Sequence, residues 1–256
     1  EIREYERTST TVLNALLLPI IRDYISRLTD RLTEAGLTAP VFLVQSNGGV
    51  TTPTTAAAQP ARLLLSGPSG GALAAETISA RISEPNLIAV DMGGTSYDVS
   101  IVHGGEIRKI NDGAVDSLPV RLPMVEIRTI GAGGGSLARV DDSGRLRVGP
   151  ESAGAEPGPA CYGLGGDEPT VTDANVVLGR LDPNYFLGGA LTLDGEAARR
   201  TIASRIAEPL GLEVEAAGEG VLRIAVSAMA SAIRLSLFEK GLDPKDFALI
   251  SFGVPV

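Results

Sequence analysis

The stretch Leu87-Ile88-Ala89-Val90-Asp91-Met92-Gly93-Gly94-Thr95-Ser96-Tyr97-Asp98-Val99-Ser100-Ile101-Val102 decides how this chain is read. Leu87 to Val90 form a short apolar run of the kind a sheet buries, and it delivers a carboxylate, Asp91, at its end. Two glycines turn the chain, and Val99 to Val102 return as a second strand. Glycine lets backbone N–H groups face an anion with no Cβ in the way, and Thr95 and Ser96 add hydroxyl donors. Gly93, Gly94, Thr95 and Ser96 are therefore candidate phosphate ligands. Asp91 and Asp98 are candidate catalytic carboxylates. Because hard cations prefer carboxylate oxygen, Asp91 is also the candidate Mg²⁺ ligand or water-orienting group, with Asp98 supporting the turn. By residue type alone, an ordinary Gly-Gly hairpin with an aspartate at each flank fits the same letters equally well. No GxxxxGK[ST] sequence occurs, which excludes a P-loop.

Outward from this hairpin, helices alternate with strands. Thr11 to Ala35 carries Leu13, Leu17, Ile20, Tyr24, Ile25, Leu28 and Leu32 at helical spacing, with Ser9 or Thr10 to cap it and Gly36 to end it. Val41 to Val44 predicts a buried strand closed by the turn Asn47-Gly48-Gly49. Ser66-Gly67-Pro68-Ser69-Gly70-Gly71 reads as a loop leading into a helix from Gly71 to Ile82. Glu106 to Ile110 predicts a strand joined to the hairpin at His103-Gly104-Gly105. After Val125 to Arg128 comes a Gly-rich turn, Gly131 to Gly135, and a Gly/Pro-dense loop covers 149 to 169. Helices are predicted over Thr172 to Gly179, Gly195 to Ala207 and Glu215 to Lys240, and a last strand over Phe247 to Ser251. The class is α/β, and the hairpin at its centre argues for a mixed rather than a purely parallel sheet.

The 256 residues suffice for one large domain or two modest ones, and 44 % apolar with 21 % charged residues is a globular balance. The formal net charge of −9 argues against a general nucleic-acid or membrane-surface partner. The sequence read alone shows no apolar run near the roughly 18–20 residues that span a bilayer. Cys161 is the only cysteine, so no intramolecular disulfide forms. With no signal-like start, that fits a reducing cytoplasm. The chain opens on Glu1 and closes on Gly253-Val254-Pro255-Val256, so both ends read as cut from something longer.

Three further groups bear on chemistry. Gly131 to Ser136 reads as a second run of bare backbone donors suited to an anion, which makes Gly133, Gly134 and Gly135 candidate cofactor ligands; a packed turn is the plainer reading. Thr170, Thr172, Asp173 and Asn175 gather at a helix start, where capping by Thr172 or Asp173 explains them better than catalysis. Cys161 needs an activating base to act as a nucleophile, and the single histidine, His103, sits at a hairpin tip. One Cys and one His also rule out a Cys- or His-rich zinc site within this chain.

Asp91, Gly93, Gly94, Ser96 and Asp98 fill every slot of the pattern Asp-x-Gly-Gly-x-[Thr/Ser]-x-Asp, and the run resembles the second phosphate hairpin of the actin, sugar-kinase and seventy-kilodalton heat-shock ATPase superfamily. Glu126 to Gly166 (EIRTIGAGGGSLARVDDSGRLRVGPESAGAEPGPACYGLGG) and Pro169 to Leu181 (PTVTDANVVLGRL) narrow this. With Gln45-Ser46-Asn47-Gly48-Gly49 and Ser66 to Gly71, they resemble the hydantoinase A/5-oxoprolinase family, which also includes the ATP-binding subunits of acetone and acetophenone carboxylases. The resemblance spans nearly the whole chain and implies an actin-like (ribonuclease H-like) ATPase lobe over 1–256, with ATP and Mg²⁺ as cofactors.

It further implies ATP-assisted opening of a cyclic amide, of hydantoin or 5-oxoproline type, within an oligomer holding a second (B-type) subunit or domain. A ketone carboxylase subunit, or a non-catalytic remnant of the fold, are the alternatives. Relatives carry His where Arg128 stands, which puts a histidine-held metal in doubt; Glu126 and Asp91 remain the oxygen ligands. A complete nucleotide site of this superfamily needs two lobes. No first phosphate turn of the Asp-x-Gly-[Thr/Ser] kind precedes residue 40, and Phe252-Gly253-Val254-Pro255 departs from the Phe-Gly-Gly-x-Gly-Pro of relatives. The chain is thus expected to hold one side of a phosphate clamp.

Overall fold

The computed structural model describes residues 2–115 and 118–253. In chain order the elements are α1 (Glu4–Glu34), β1 (Leu43–Val44), β2 (Val50–Thr51), α2 (Pro53–Ala58), α3 (Ser66–Ile82), β3 (Leu87–Met92), β4 (Tyr97–His103), β5 (Glu106–Ile107), β6 (Lys109–Ile110), β7 (Gly113–Val115), β8 (Leu118–Val120) and β9 (Met124–Val125). There follow β10 (Arg128–Ile130), β11 (Ser136–Val140), β12 (Leu146–Ser152), α4 (Val171–Val177), α5 (Gly195–Ile202), α6 (Glu208–Leu210), α7 (Val214–Phe238) and β13 (Ala248–Phe252). The largest sheet runs β10-β4-β3-β13, with β5 added to β4. The α/β class, the central hairpin and the flanking helices are as the sequence reads. Two compact units divide the chain, Glu1–Ala89 with Ser100–Ile127 and Val90–Val99 with Arg128–Val256.

In the first unit α1 begins two turns earlier than the cap signals suggest. Arg3 precedes it in left-handed geometry with no side-chain cap, Glu4 and Glu6 favour the N-terminal dipole, and Gly36 ends it at φ +84°. Ser9 and Thr10 lie inside the helix. Thr10 satisfies its hydroxyl by donating back to the Glu6 carbonyl (2.7 Å) and by accepting the N–H of Arg121 (2.8 Å), so it pins β8's far end instead of capping. Ile25 is the buried residue of α1, whereas Ile20 and Tyr24, read as core, face outward. The run Ser66 to Gly71 is helical from Ser66, forming the first turns of α3; Pro68 is tolerated there because first-turn N–H groups lack partners anyway. Ala72 of α3 packs with Ile107 and Val125, and Leu73 and Ile127 extend that cluster.

Ser46 is the hub of this unit. Its hydroxyl lies 2.7 Å from the Arg62 carbonyl and 2.6 Å from that of Leu64, its N–H also donates to Arg62, and its carbonyl accepts from Val125 and Ser69. The turn Asn47 to Gly49 is thereby fixed between β1 and β2.

In the second unit the antiparallel hairpin β11–β12, which the sequence reading does not resolve, packs its Val140, Leu146 and Val148 against Ile202, Ile206, Val221 and Ala225. A wider π-type turn, Ala203–Ala207, carries α5 on into α6 without a break. On the predicted apolar face of α7, Val221, Ala225 and Ala232 are buried while Ala228 and Leu235 are exposed. Among the described residues α7 is the one helix long and apolar enough to cross a membrane by length and composition, whereas the sequence reading finds none. Its Val221 and Ala225 belong to the core shared with β11 and β12, while Val226, Leu235 and Phe238 are exposed.

Candidate functional site

The second unit builds its candidate site at the tip of the β3–β4 hairpin. Gly93 closes the turn by donating its N–H to the Ser96 carbonyl (3.0 Å). Among the described residues, the N–H groups of Gly94, Thr95 and Ser96 have no partner, so three adjacent donors are left for an anion. The turn is held from behind. Gly134 donates to the Gly93 carbonyl (3.1 Å) and Gly135 to that of Gly94 (2.7 Å). A Cβ on Gly133 would meet those two carbonyl oxygens at 2.6 and 2.5 Å, so only glycine permits this approach. The Ser152 hydroxyl lies 3.3 Å from that of Thr95 and extends the buttress.

One reading of the sequence is corrected by these bonds. Gly131 to Ser136 is not a run of bare donors, because Gly133 donates to Ser136 Oγ (2.8 Å) and Gly134 and Gly135 are spent on the hairpin. Gly134 and Gly135 act on the β3–β4 turn rather than beside it.

The two aspartates differ sharply in surroundings. Asp98 is buried, and its carboxylate accepts from the hydroxyls of Thr129 and Ser96, the latter at 3.3 Å. It is a positioning group that locks the strand after the turn. Asp91 is partly exposed at the end of β3, and burial, then the negative charge of Asp98, raise its carboxyl above the ordinary value. Gly253 comes so close that a Cβ there would lie 2.3 Å from Asp91 Oδ1 and 2.5 Å from the Met92 carbonyl. Ser152 and Thr129 carry no signal in the sequence, whereas Gly253 belongs to the altered turn read at Phe252-Gly253-Val254-Pro255, of which Val254 and Pro255 lie outside the described residues.

Among the described residues, no group of three or more His, Cys, Asp or Glu is placed to hold a metal. Mg²⁺ does not require one, since it commonly takes one or two carboxylates with phosphate oxygens and water. Glu126 is paired with Arg108 at 3.5 Å in the first unit, and Arg128 is paired with Glu239 in the second. Arg128 thus serves an ion pair, with its Nε buried and unbonded.

Asp173 is fully buried and accepts from the N–H groups of Ala160 (3.2 Å), Cys161 (2.8 Å) and Thr170 (2.9 Å) and from the Thr170 hydroxyl (2.8 Å). Thr170, not Thr172, is the N-cap of α4, in a capping box with Asp173. Thr172 instead donates its N–H to the Gly134 carbonyl (2.8 Å) and leaves its buried hydroxyl unbonded. Burial, and next the charge of Asp173, push the Cys161 thiol far up, the reverse of what a nucleophile needs. His103 ends β4 on the surface opposite Glu106.

A family model described as Hydantoinase/oxoprolinase matches residues 7–254. The chain is 45 % identical over 253 residues to the caprolactamase subunit alpha of Pseudomonas jessenii, covering 99 % of this chain and 36 % of that protein. It is 39 % identical to the acetophenone carboxylase gamma subunit of Aromatoleum aromaticum, covering 99 % and 35 % respectively. Among solved structures it superimposes on nucleotide-free acetone carboxylase with TM-score 0.91 at 33 % identity, covering 99 % of this chain and 36 % of that one. The ATP-dependent caprolactamase of Pseudomonas jessenii gives 0.78 at 44 % identity, with 99 % and 37 % covered. The chain therefore spans a little over a third of the length of these proteins.

Proposed function

The chain belongs to the hydantoinase/oxoprolinase family, and from that premise we propose that its 93–96 turn is one side of an ATP phosphate site in an enzyme that opens a cyclic amide. The observation that carries this reading is the trio of unpartnered N–H groups at Gly94, Thr95 and Ser96, fixed by Gly134 and Gly135. A ring amide is resonance-stabilised and resists direct attack by water. ATP, when bound, supplies the phosphoryl group that activates the amide oxygen.

The chain's own contribution is positioning and charge neutralisation, which dominate phosphoryl transfer. The three N–H groups receive phosphate oxygen, Thr95 adds its hydroxyl, and Asp91 holds Mg²⁺ or orients water. Asp98 keeps the turn in register through Ser96 and Thr129. Gly133, Gly134 and Gly135 contribute by stiffening the turn. The enzyme is proposed to be cytoplasmic and oligomeric with a second subunit, in keeping with relatives that are named as subunits.

The higher identity to a caprolactamase supports lactam opening, whereas the closer superposition on acetone carboxylase favours the reading as a ketone carboxylase subunit. The complete parent protein with its partner, given ATP and 5-oxoproline, hydantoin or caprolactam, separates them. Ring opening coupled to ATP use is expected, and the Asp91→Asn variant is expected to abolish it. ATP consumption that requires bicarbonate and a ketone would overturn lactam opening in favour of carboxylation. A folded parent protein that takes up no Mg-ATP by calorimetry would leave only a remnant of the fold.

A further inference from the structure

The β3–β4 turn carries two side-chain hydroxyls, and they are committed differently. Ser96 Oγ donates to the Asp98 carboxylate at 3.3 Å, so its single hydrogen points back into the strand that follows. Thr95 is exposed at the tip. Among the described residues, its Oγ1 meets one protein group, the Ser152 hydroxyl at 3.3 Å.

Ser152 ends β12, 57 positions from Thr95, and backbone holds it in place. The Gly154 N–H donates to Ser152 Oγ (3.1 Å), from a glycine in left-handed geometry at φ +64°. The intervening Ala153 donates its N–H to the Gly135 carbonyl (2.9 Å), and Gly135 gives its own N–H to the Gly94 carbonyl (2.7 Å). A Cβ on Gly135 would lie 2.9 Å from Ser152 Oγ and 3.0 Å from the Gly94 oxygen, so no side chain fits where these three segments meet. Ser152 Oγ therefore reaches Thr95 from backbone that is already bonded to the turn.

A hydroxyl has one hydrogen and two lone pairs. Gly154 fills one lone pair of Ser152, and among the described residues Thr95 Oγ1 is the acceptor that the serine hydrogen meets. Once Thr95 has accepted it, the threonine hydrogen is left for something outside the protein. It stands on the same tip as the unpartnered N–H groups of Gly94, Thr95 and Ser96. We propose that Ser152 is a positioning residue: a relay from the Gly154 N–H through the Ser152 hydroxyl sets the Thr95 hydroxyl as a donor to a phosphate oxygen. The proposal rests on the nucleotide reading of the 93–96 turn and adds a distant residue that decides how its exposed hydroxyl is used. At 3.3 Å the Ser152–Thr95 contact is long for two hydroxyls, and an anionic acceptor on Thr95 strengthens it, because each donor in such a chain polarises the next. An oriented donor also favours a bare phosphate oxygen over a group that must itself donate.

A double-mutant cycle read by calorimetry tests this, with Mg-ATP titrated into the complete parent protein and its partner. Ser152→Ala is expected to weaken binding about three- to tenfold, as for loss of one hydrogen bond, and Thr95→Val by about tenfold or more, as for loss of a charge-assisted one. In the Thr95→Val background Ser152→Ala should add less than about twofold, because the relay then has no end to act on. Thr95→Ser keeps the hydroxyl and should keep both the parental affinity and the full Ser152→Ala penalty. A merely structural role for Ser152 would loosen the turn in every background. Thr95 is exposed, so its variants are expected to fold, and circular dichroism verifies each protein. Unchanged affinity in Ser152→Ala or in Thr95→Val, or a Ser152→Ala penalty that persists in full beside Thr95→Val, would overturn the relay and leave the nucleotide reading standing. No Mg-ATP uptake by the unsubstituted protein would overturn both.

Discussion

Asp98 on β4 stands directly opposite Thr129 on β10, and the Thr129 hydroxyl donates to the buried Asp98 carboxylate. The register of two strands is thereby tied to the turn that precedes Asp98. Thr129→Val keeps the shape and removes the donor. It is expected to lower stability by about 1–3 kcal/mol, the usual cost of leaving a buried acceptor underbonded. Chemical denaturation with an unchanged m-value would measure it, and a neutral substitution would mean that Asp98 does not lock the strand after the turn.

Gly133→Ala places a methyl group where the Gly93 and Gly94 carbonyls already lie within 2.6 Å. Either the turn or its buttress must move. A loss of about 1–3 kcal/mol in stability is expected from such overpacking. In the complete parent protein Mg-ATP affinity should fall with it, by at least about tenfold. Wild-type affinity by calorimetry in a folded Gly133→Ala protein would contradict the buttress.

Asp91 carries its proton more tightly in the folded chain than its ordinary value near 3.8, because of burial and then Asp98. For a carboxyl raised in this way, the unfolded chain ionises first as pH rises, so stability is lost from the ordinary value upward and the full penalty stands above the folded value. Asp91→Asn removes that penalty. Urea midpoints should therefore show the variant more stable than wild type near neutral pH, with the gap closing toward about pH 4. A gap that widens on acidification would reverse the sign assigned to Asp91.

Asp173 holds three N–H groups and a hydroxyl around Cys161, and burial with that charge keeps the thiol protonated. The neighbouring Tyr162 is pushed up to about 12, by burial first. At about pH 8 the native chain should resist iodoacetamide and react only when unfolded, as mass spectrometry would record. Asp173→Ala should cost about 3–5 kcal/mol, because buried donors lose a charged acceptor together.

Thr170 and Thr172 predict opposite outcomes from one substitution. Thr170→Val removes the N-cap of α4 and should destabilise by about 0.5–2 kcal/mol. Thr172→Val exchanges a buried, unbonded hydroxyl for a methyl group and should be neutral or stabilising. Thermal denaturation of the two variants side by side would decide it.

Local chemistry made much of this protein legible from its sequence. The apolar run Leu87 to Val90, the Gly-Gly turn, Gly36 at the end of α1 and the strand at Phe247 to Ser251 all depend on neighbours a few residues away, and all are present in the fold. A cap letter misled where a distant partner competed for it, as Thr10 shows by bonding Arg121. The burial of a helix face was also beyond reach, since Ile20 and Ile25 share one periodicity and only packing chose Ile25. What sequence alone determined at the site was which residues turn the chain at 91–98. Only tertiary structure decided that Gly134 and Gly135 give their N–H groups to that turn, leaving three others for an anion. A hydrogen bond between residues about forty positions apart has no local signature. It exists because two glycine turns, lacking Cβ atoms, can approach backbone to backbone.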